Sequence, residues 1–301
     1  IKISDFKIIN KLKFKKKKSK KQICVEKNVF LINKISGKKL NKKFIGVSIN
    51  SKSIRKGNLF VAIKGKNNDG HNHLKEAISK GASNCVISRK SSKIQKNKFI
   101  KVLHTYKFLK KLATLKRNYT NGKIIAVTGS SGKTTVKELI GNLLKNFGET
   151  YFSPNSFNNS FGVPLSLCNL ENFHKYGVFE IGMSKKGEID ILSKIVKPDI
   201  AIITNIAEAH IENFKNLSHI AKAKGEIINN ISNKGSLIID RDNKFFNYFK
   251  SKAQKRKIKV ISVGYSNKSD IKIVKVRSFL KFKLVTIRSF GEEYKIKTKE
   301  Q

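Results

Sequence analysis

The sequence predicts an α/β protein, a small N-terminal α/β module followed by a larger, mostly parallel sheet of the P-loop type. Three observations predict it. The stretch IIAVTGSSGKTTVKELIGNLLKNF, Ile124 to Phe147, runs from an apolar strand through a small-residue loop into an amphipathic helix. Downstream, the apolar runs YGVFEIG, DIAIITNI, GSLIID and KVISVG alternate with helical stretches, the order that builds a parallel sheet. Upstream, the short strands LFVAI (Leu59 to Ile63) and NCVIS (Asn84 to Ser88) flank HLKEAISKG, a helix stopping at Gly81.

A helical segment from about Thr105 to Tyr119 joins the two parts. After the Ile124 strand, Gly129, Ser130, Ser131 and Gly132 turn the chain into a helix beginning near Lys133. Val136, Leu139, Ile140, Leu143, Leu144 and Phe147 recur at helical spacing, and Gly148 supplies the stop. Such a loop aims several backbone N–H groups at one point beside the positive end of the helix dipole, a place suited to phosphate. Thr128 to Thr135 are therefore the nucleotide-binding candidates, Lys133 meeting the β- and γ-phosphates and the Thr134 hydroxyl sitting on Mg²⁺. The first glycine of G-x-x-x-x-G-K-[ST] is replaced here by Val127, the loop's own glycine being Gly129. Ligands of parallel sheets sit beyond the carboxyl ends of the strands, where Glu180 and His210 both fall.

With 301 residues and 39% hydrophobic side chains the chain is long and apolar enough for about two packed domains. No apolar run approaches the ~18 residues of a membrane span, and the basic start lacks the apolar stretch of a signal peptide, so a cytoplasmic location is expected. Cys24, Cys85 and Cys168 are widely spaced, which suggests buried thiols and neither a disulfide framework nor a zinc site. A start at Ile1 reads as a fragment. The formal net charge of +45 raises nucleic-acid binding. Yet the lysines are spread through the chain beside abundant Ile and Asn, all with A/T-rich codons, and no aromatic-interleaved basic motif accompanies them, so no nucleic-acid partner is expected. The dense run KFKKKKSKK, Lys13 to Lys21, is either a solvated loop or a patch for anionic ligands.

TGSSGKTT, NSFNNSFGVPLSL (Asn155 to Leu167), FEIGMSKKGEI (Phe179 to Ile189), TNIAEAHIENF (Thr204 to Phe214) and AKAKGEI (Ala221 to Ile227) together resemble, in order and spacing, successive motifs of the Mur ligases. Within that family, LFVAIKGKNNDGH (Leu59 to His71) and the Asn-Asn-x-x-Gly-Val-Pro-Leu run are most similar to the member that adds D-alanyl-D-alanine to UDP-MurNAc-tripeptide. The resemblance implies a domain for the UDP-sugar peptide over 1–104, a central ATP-binding domain over 105–301, and a C-terminal domain beyond, with the central domain itself incomplete. A sister Mur ligase or folylpolyglutamate synthase is the alternative within enzymes, and a basic P-loop protein acting on nucleic acid the alternative outside them.

The resemblance implies an ATP- and Mg²⁺-dependent acid–amino-acid ligase, working as a monomer on UDP-MurNAc-tripeptide and D-alanyl-D-alanine. Its catalytic residues would be Lys133, Asn158, Asn159, His210 and Lys224, with Thr134, Glu180, His210 and Lys224 as metal ligands, the lysine after carbamylation by CO₂. Asn158 and Asn159 also read as a turn before Pro164. Lys224 has its own geometric support. Ile220, Ile227, Ile228 and Ile231 form one apolar stripe, and at about 100° per residue Lys224 falls within it and Lys222 opposite. A lysine there either snorkels to water or points inward. For the sugar-nucleotide substrate the candidates are Ser51, Lys52, Gly65, Asp69 and His71. Two positions depart from the family pattern. Asn50, Ser51 and Lys52 replace Asp-Ser/Thr-Arg, and Asp240, Arg241 and Asp242 replace an adenine-side Asn-Ala-Asp.

Overall fold

A computed structural model describes residues 19–37, 40, 42–89, 96–208, 214 and 216–299, and the chain divides into two compact units, Ile1–Phe108 and Leu109–Gln301. The first begins with helix α1 (Lys20–Ser36), whose Ser19 hydroxyl accepts from the Gln22 N–H while Gln22 Oε1 accepts from the Ser19 N–H, a reciprocal cap. The end of the basic run thus opens a helix, and Lys13 to Lys18 lie outside the described residues. Strands β1 (Gly46–Ser48), β2 (Asn58–Val61), β3 (Asn84–Ile87) and β4 (Phe99–Lys101) pair in parallel in that order, with α2 (Leu74–Ser79) crossing between β2 and β3. Their short runs are buried almost throughout, as strands of a parallel sheet covered on both faces should be. Phe60, Ala62, Leu74, Ala77, Cys85 and Ile87 form the core beneath α2.

Helix α3 (Thr105–Asn118) leads into the second unit, whose elements are β5 (Lys123–Thr128), α4 (Lys133–Leu144), β6 (Thr150–Phe152), α5 (Gly162–Cys168), β7 (Tyr176–Glu180), α6 (Glu188–Val196), β8 (Ile200–Ile203), α7 (Leu217–Lys224), β9 (Ser236–Asp240), α8 (Phe246–Lys255), β10 (Lys259–Gly264), β11 (Ile271–Phe279), β12 (Phe282–Ser289) and β13 (Glu292–Lys299). Among the described residues they build one sheet of order β13-β12-β11-β10-β9-β8-β5-β7-β6. All neighbours up to β11 are parallel, and β11, β12 and β13 are antiparallel. From β5 the chain passes on one side to the edge strand β6 and back to β7, and then on the other side outward from β8, so β5 ends at the point where the strand order reverses.

Two expectations need correction here. Of the six apolar positions assigned to the helix after the loop, only Val136, Ile140 and Leu144 pack on the sheet, against Ile125, Val127, Val178 and Phe152. Leu139, Leu143 and Phe147 are 55%, 61% and 63% exposed, because the buried side of α4 is centred on Lys137 and Gly141, from which Leu139 and Leu143 point away, while Phe147 lies beyond the helix's last residue, Leu144. The predicted helix through Ile231 also tightens after Lys224 into a 3₁₀ segment, Gly225–Asn230.

On α3, Lys116 (1% exposed side chain) donates to Glu171 Oε1, while Glu171 Oε2 is buried without a hydrogen-bond partner among the described residues. Removing one member of such a pair strands a buried charge, whereas replacing both with apolar groups removes the desolvation penalty. Glu171→Ala is therefore expected to lower the unfolding free energy by about 3–5 kcal/mol in urea titrations, and Lys116→Met/Glu171→Leu to recover most of it.

Candidate active site

The loop between β5 and α4 is shaped from outside. Gly129 has φ 151°, and a Cβ there would lie 1.8 Å from Thr204 Oγ1, so only glycine lets the loop pass this close to the chain leaving β8. Thr204 Oγ1 donates to the Ser131 carbonyl (2.6 Å), Asn205 Oδ1 accepts from the Ser131 N–H (2.8 Å), and Asn205 Nδ2 donates to Ser131 Oγ (2.7 Å). Ser130 Oγ donates to the Ala207 carbonyl and accepts from the Ala207 N–H, at 2.8 and 2.9 Å. Sequence reasoning did not single out Thr204 or Asn205. The available signal was their place, polar residues directly after a buried strand that neighbours β5. Gly132, with φ 74°, caps α4 without a side-chain hydrogen bond, leaving the first-turn amides to serve an anion.

Five predicted residues meet around this loop. Thr134 Oγ1 donates to Glu180 Oε2, and Asn158 Nδ2 donates to Glu180 Oε1, each at 2.7 Å. Glu180, last residue of β7, is 1% exposed. Lys133 Nζ donates to the carbonyls of Gly129 (2.9 Å) and Ser130 (3.2 Å). Burial lowers its pKa, opposed by the Glu180 carboxylate. Lys224 Nζ reaches the same Gly129 carbonyl at 2.9 Å and is 2% exposed, with Lys222 exposed on the other side of α7, as the apolar stripe predicts. Burial and then the Lys133 charge bring the Lys224 pKa down to about 7.

Other predicted residues stand apart. Asn159 serves the turn, its Oδ1 accepting from the N–H groups of Phe161 (3.0 Å) and Gly162 (2.9 Å) at the start of α5. Thr128 ends β5, buried, and Thr135 is exposed. His210 lies outside the described residues.

The oxygen donors present suit Mg²⁺, a hard cation usually held by one or two carboxylates with waters and substrate phosphates making up the rest. Glu180 and Thr134 supply one carboxylate and one hydroxyl at hydrogen-bond distance. Among the described residues no group of three or more His, Cys, Asp or Glu side chains converges, so within them the donors are this sparse set.

The substrate candidates of the first unit follow the carboxyl ends of its strands. Ser51, after β1, is 5% exposed and donates to Glu76 Oε2 (2.7 Å), while Lys52 is exposed. After β2, the Gly65 N–H donates to the Asn68 carbonyl. His71 Nδ1 lies 2.6 Å from Asp69 Oδ1, and its Nε2 lies 3.2 Å from Ser88 Oγ, the order of a nucleophilic relay. However, the Ser88 N–H donates to Nε2 at 3.1 Å, engaging the lone pair that a base would need. Asp69–His71–Ser88 is thus a clamp between two strand ends. Burial would raise the Asp69 pKa, but hydrogen bonds from His71 and the nearby Arg89 hold it below the usual value. In the second unit, Asp240 lines a cleft with Ile203, Thr204, Asn205, Asn243 and Phe249. The Arg241 guanidinium lies 4.1 Å above the Phe246 ring, and Asp242 accepts from the N–H groups of Tyr265 and Ser266.

Comparison with known proteins bears on this arrangement. Residues 127–299 match the Mur ligase middle domain, and residues 43–117 match the catalytic domain of the Mur ligase family. The UDP-N-acetylmuramoyl-tripeptide--D-alanyl-D-alanine ligase of Rickettsia prowazekii (strain Madrid E) is 39% identical over 229 residues, 76% of this chain and 51% of its own. The protein of that name from Escherichia coli (strain K12) is 32% identical over 252 residues, 84% of this chain and 53% of its own. The chain spans about half the length of the curated relatives it matches. Among solved structures, MurF ligase from Thermotoga maritima in complex with ADP superposes with a TM-score of 0.71 at 30% identity, covering 85% of this chain and 58% of that one. With the middle-domain pattern alone taking in residues 127–299, the greater part of its length, the chain belongs to the Mur ligase family.

Proposed function

We propose that the chain forms part of the ligase that joins D-alanyl-D-alanine to UDP-MurNAc-tripeptide at the expense of ATP, in peptidoglycan precursor synthesis. One observation carries the reading: the buried Glu180 carboxylate, held by Thr134 and Asn158 at the foot of a phosphate loop bearing Lys133. The relatives named for this reaction, at 39% and 32% identity, support the choice of substrates. Residues 1–104 would take the sugar-nucleotide peptide and 105–301 the ATP, with the reaction in the cytoplasm, where ATP is supplied. The sister ligases and folylpolyglutamate synthase have weaker support, since their structures are 16% and 13% identical with TM-scores of 0.52, a likeness of fold.

A peptide carboxylate is a poor acyl donor because an oxide would have to leave. Transfer of the γ-phosphoryl group of ATP to a carboxylate oxygen gives an acyl phosphate and ADP. The free amine of D-alanyl-D-alanine then attacks the acyl carbon, the tetrahedral adduct expels phosphate, and the nitrogen loses a proton. The first step brings two anions together, so positioning and cationic clamping dominate. The amides of residues 132–134 and the Lys133 ammonium would hold the phosphates. Thr134 and Glu180 would hold Mg²⁺, which when bound neutralises phosphate charge. Lys224, inward beside the loop, would enter as its carbamate, an anionic oxygen donor of the kind Mg²⁺ accepts.

The discriminating experiment is phosphate release from ATP by the complete protein. Stimulation is expected from UDP-MurNAc-tripeptide with D-alanyl-D-alanine and not from DNA or RNA; the reverse pattern would reject the reading. Lys133→Ala is expected to lower ligation at least about 10²-fold with the fold intact by circular dichroism. Lys224→Ala should cost about 10- to 100-fold, and Lys222→Ala no more than about twofold; equal activities would remove Lys224 from the site.

The depressed Lys224 pKa also has a signature in stability. Its ammonium is charged in the unfolded chain up to 10.5 but in the folded protein only up to about 7. The penalty for burying the charge is complete below pH 7 and relieved as pH rises toward 10.5. In CO₂-free buffer the unfolding free energy should therefore rise more steeply across that window than it does in Lys224→Met, as read from urea titrations at several pH values.

A further inference from the structure

Lys137 lies one turn beyond Lys133 on α4 and is 0% exposed, the only large side chain of that helix among the described residues to be fully buried. Its ammonium donates to the carbonyls of Ser153 and Asn155, both at 2.6 Å, and pairs with Glu138 Oε1 at 2.8 Å. All three N–H bonds are thereby used. An ammonium so far from water is expensive, and an apolar side chain would fill a core position at less cost. The acceptors indicate what the charge holds in place. Ser153 and Asn155 bracket Pro154 in the turn leaving β6, and Asn155 has φ 46°, a left-handed conformation that asparagine adopts more readily than other side-chain-bearing residues and that fixes the course of the turn. Three residues further on, Asn158 places its amide on Glu180 Oε1 and accepts from the Gly182 N–H (2.9 Å). A Cβ at Gly182 would lie 2.9 Å from Asn158 Cγ, so the fit around that amide is close. Ser153 Oγ in turn accepts from the Glu180 N–H.

We propose that Lys137 is a positioning residue of this site: by fixing the turn at Ser153 and Asn155 it sets Asn158 against Glu180 and so orients the carboxylate toward the metal and phosphates. The inference rests on the proposed role of Glu180 and Thr134 as cation ligands. The printed partners of the Lys137 ammonium, Ser153, Asn155 and Glu138, all lie outside the phosphate loop.

The test is Mn²⁺ binding to the ADP complex of the complete protein, read from the loss of the free-ion electron paramagnetic resonance signal. Lys137→Met is expected to weaken Mn²⁺ binding by about 10- to 100-fold, with metal-free ADP affinity changed by no more than about twofold. Lys137→Arg, which keeps charge and donors, should restore part of the loss. Because Lys137 acts through Asn158, adding Lys137→Met to Asn158→Ala should weaken binding by no more than about a further twofold. Unchanged Mn²⁺ affinity in a folded Lys137→Met protein, additive losses in the double variant, or failure of both Lys137 variants to fold would overturn the assignment, the last by making the lysine a requirement of the core. Absence of Mn²⁺–ADP binding by the unaltered protein would instead reject the reading of the site itself.

Discussion

The placement of β5 between β7 and β8 organises everything around the phosphate loop. Val127 pairs with Glu180 on one side and with Ile202 on the other, and Thr128 pairs with Ile203. Since side chains alternate along a strand, this register decides that the Glu180 carboxylate meets Thr134 and that Thr204 meets the loop backbone. A slip of one residue in either pairing would turn the contributing side chain to the opposite face. The reversal of strand order at β5 leaves room for the loop, and the two neighbours supply what lines it.

The elements around that centre were legible because each carries its own local signal. The apolar runs, the glycines at 129 and 132 and the helical spacing after Lys133 need no knowledge of distant residues, and the inward direction of Lys224 follows from the stripe on its own helix. The antiparallel end of the sheet was not foreseen. Strands β11 to β13 interleave apolar residues with lysine and arginine, β11 and β13 largely exposed and β12 mostly half-buried, so alternation marks no buried face there. The hairpin joining β12 to β13 turns on Phe290 (φ 52°) and Gly291 (φ 84°), both left-handed, and a phenylalanine is not a residue that announces such a turn. Asn158 and Asn159 show a different limit. Adjacent and identical, they divide the work, one binding Glu180 and the other capping a helix, and only the course of the backbone separates them.

The excess of basic residues has a counterpart inside the second unit. With 65 lysines and arginines against 20 acidic residues, carboxylate partners are scarce. Lys116 has one in Glu171, but several other cations turned from water rest on peptide carbonyls. Lys133 and Lys224 share that of Gly129, while Lys137 and Arg117, beside Glu138 and Asp199, donate as well to the carbonyls of Ser153 and Asn155 and of Val196 and Lys197. The negative ends of backbone dipoles thus stand in for acidic side chains at the first two cations and supplement them at the other two. Because a carbonyl is fixed to the chain, each such contact also pins a segment of backbone.

The reciprocal bond between Ser130 and Ala207, with the Asn205 contacts to Ser131 beside it, makes the four residues from Thr204 to Ala207 a ruler for the phosphate loop. One end of the ruler is nailed to the sheet at Ile203 and the other to the loop's own hydroxyl. Substitutions along it change how firmly it grips, but a single insertion or deletion would change its length and displace the loop as a whole. Among the described residues after β8, these four are where a change of length would be passed directly to the phosphate loop.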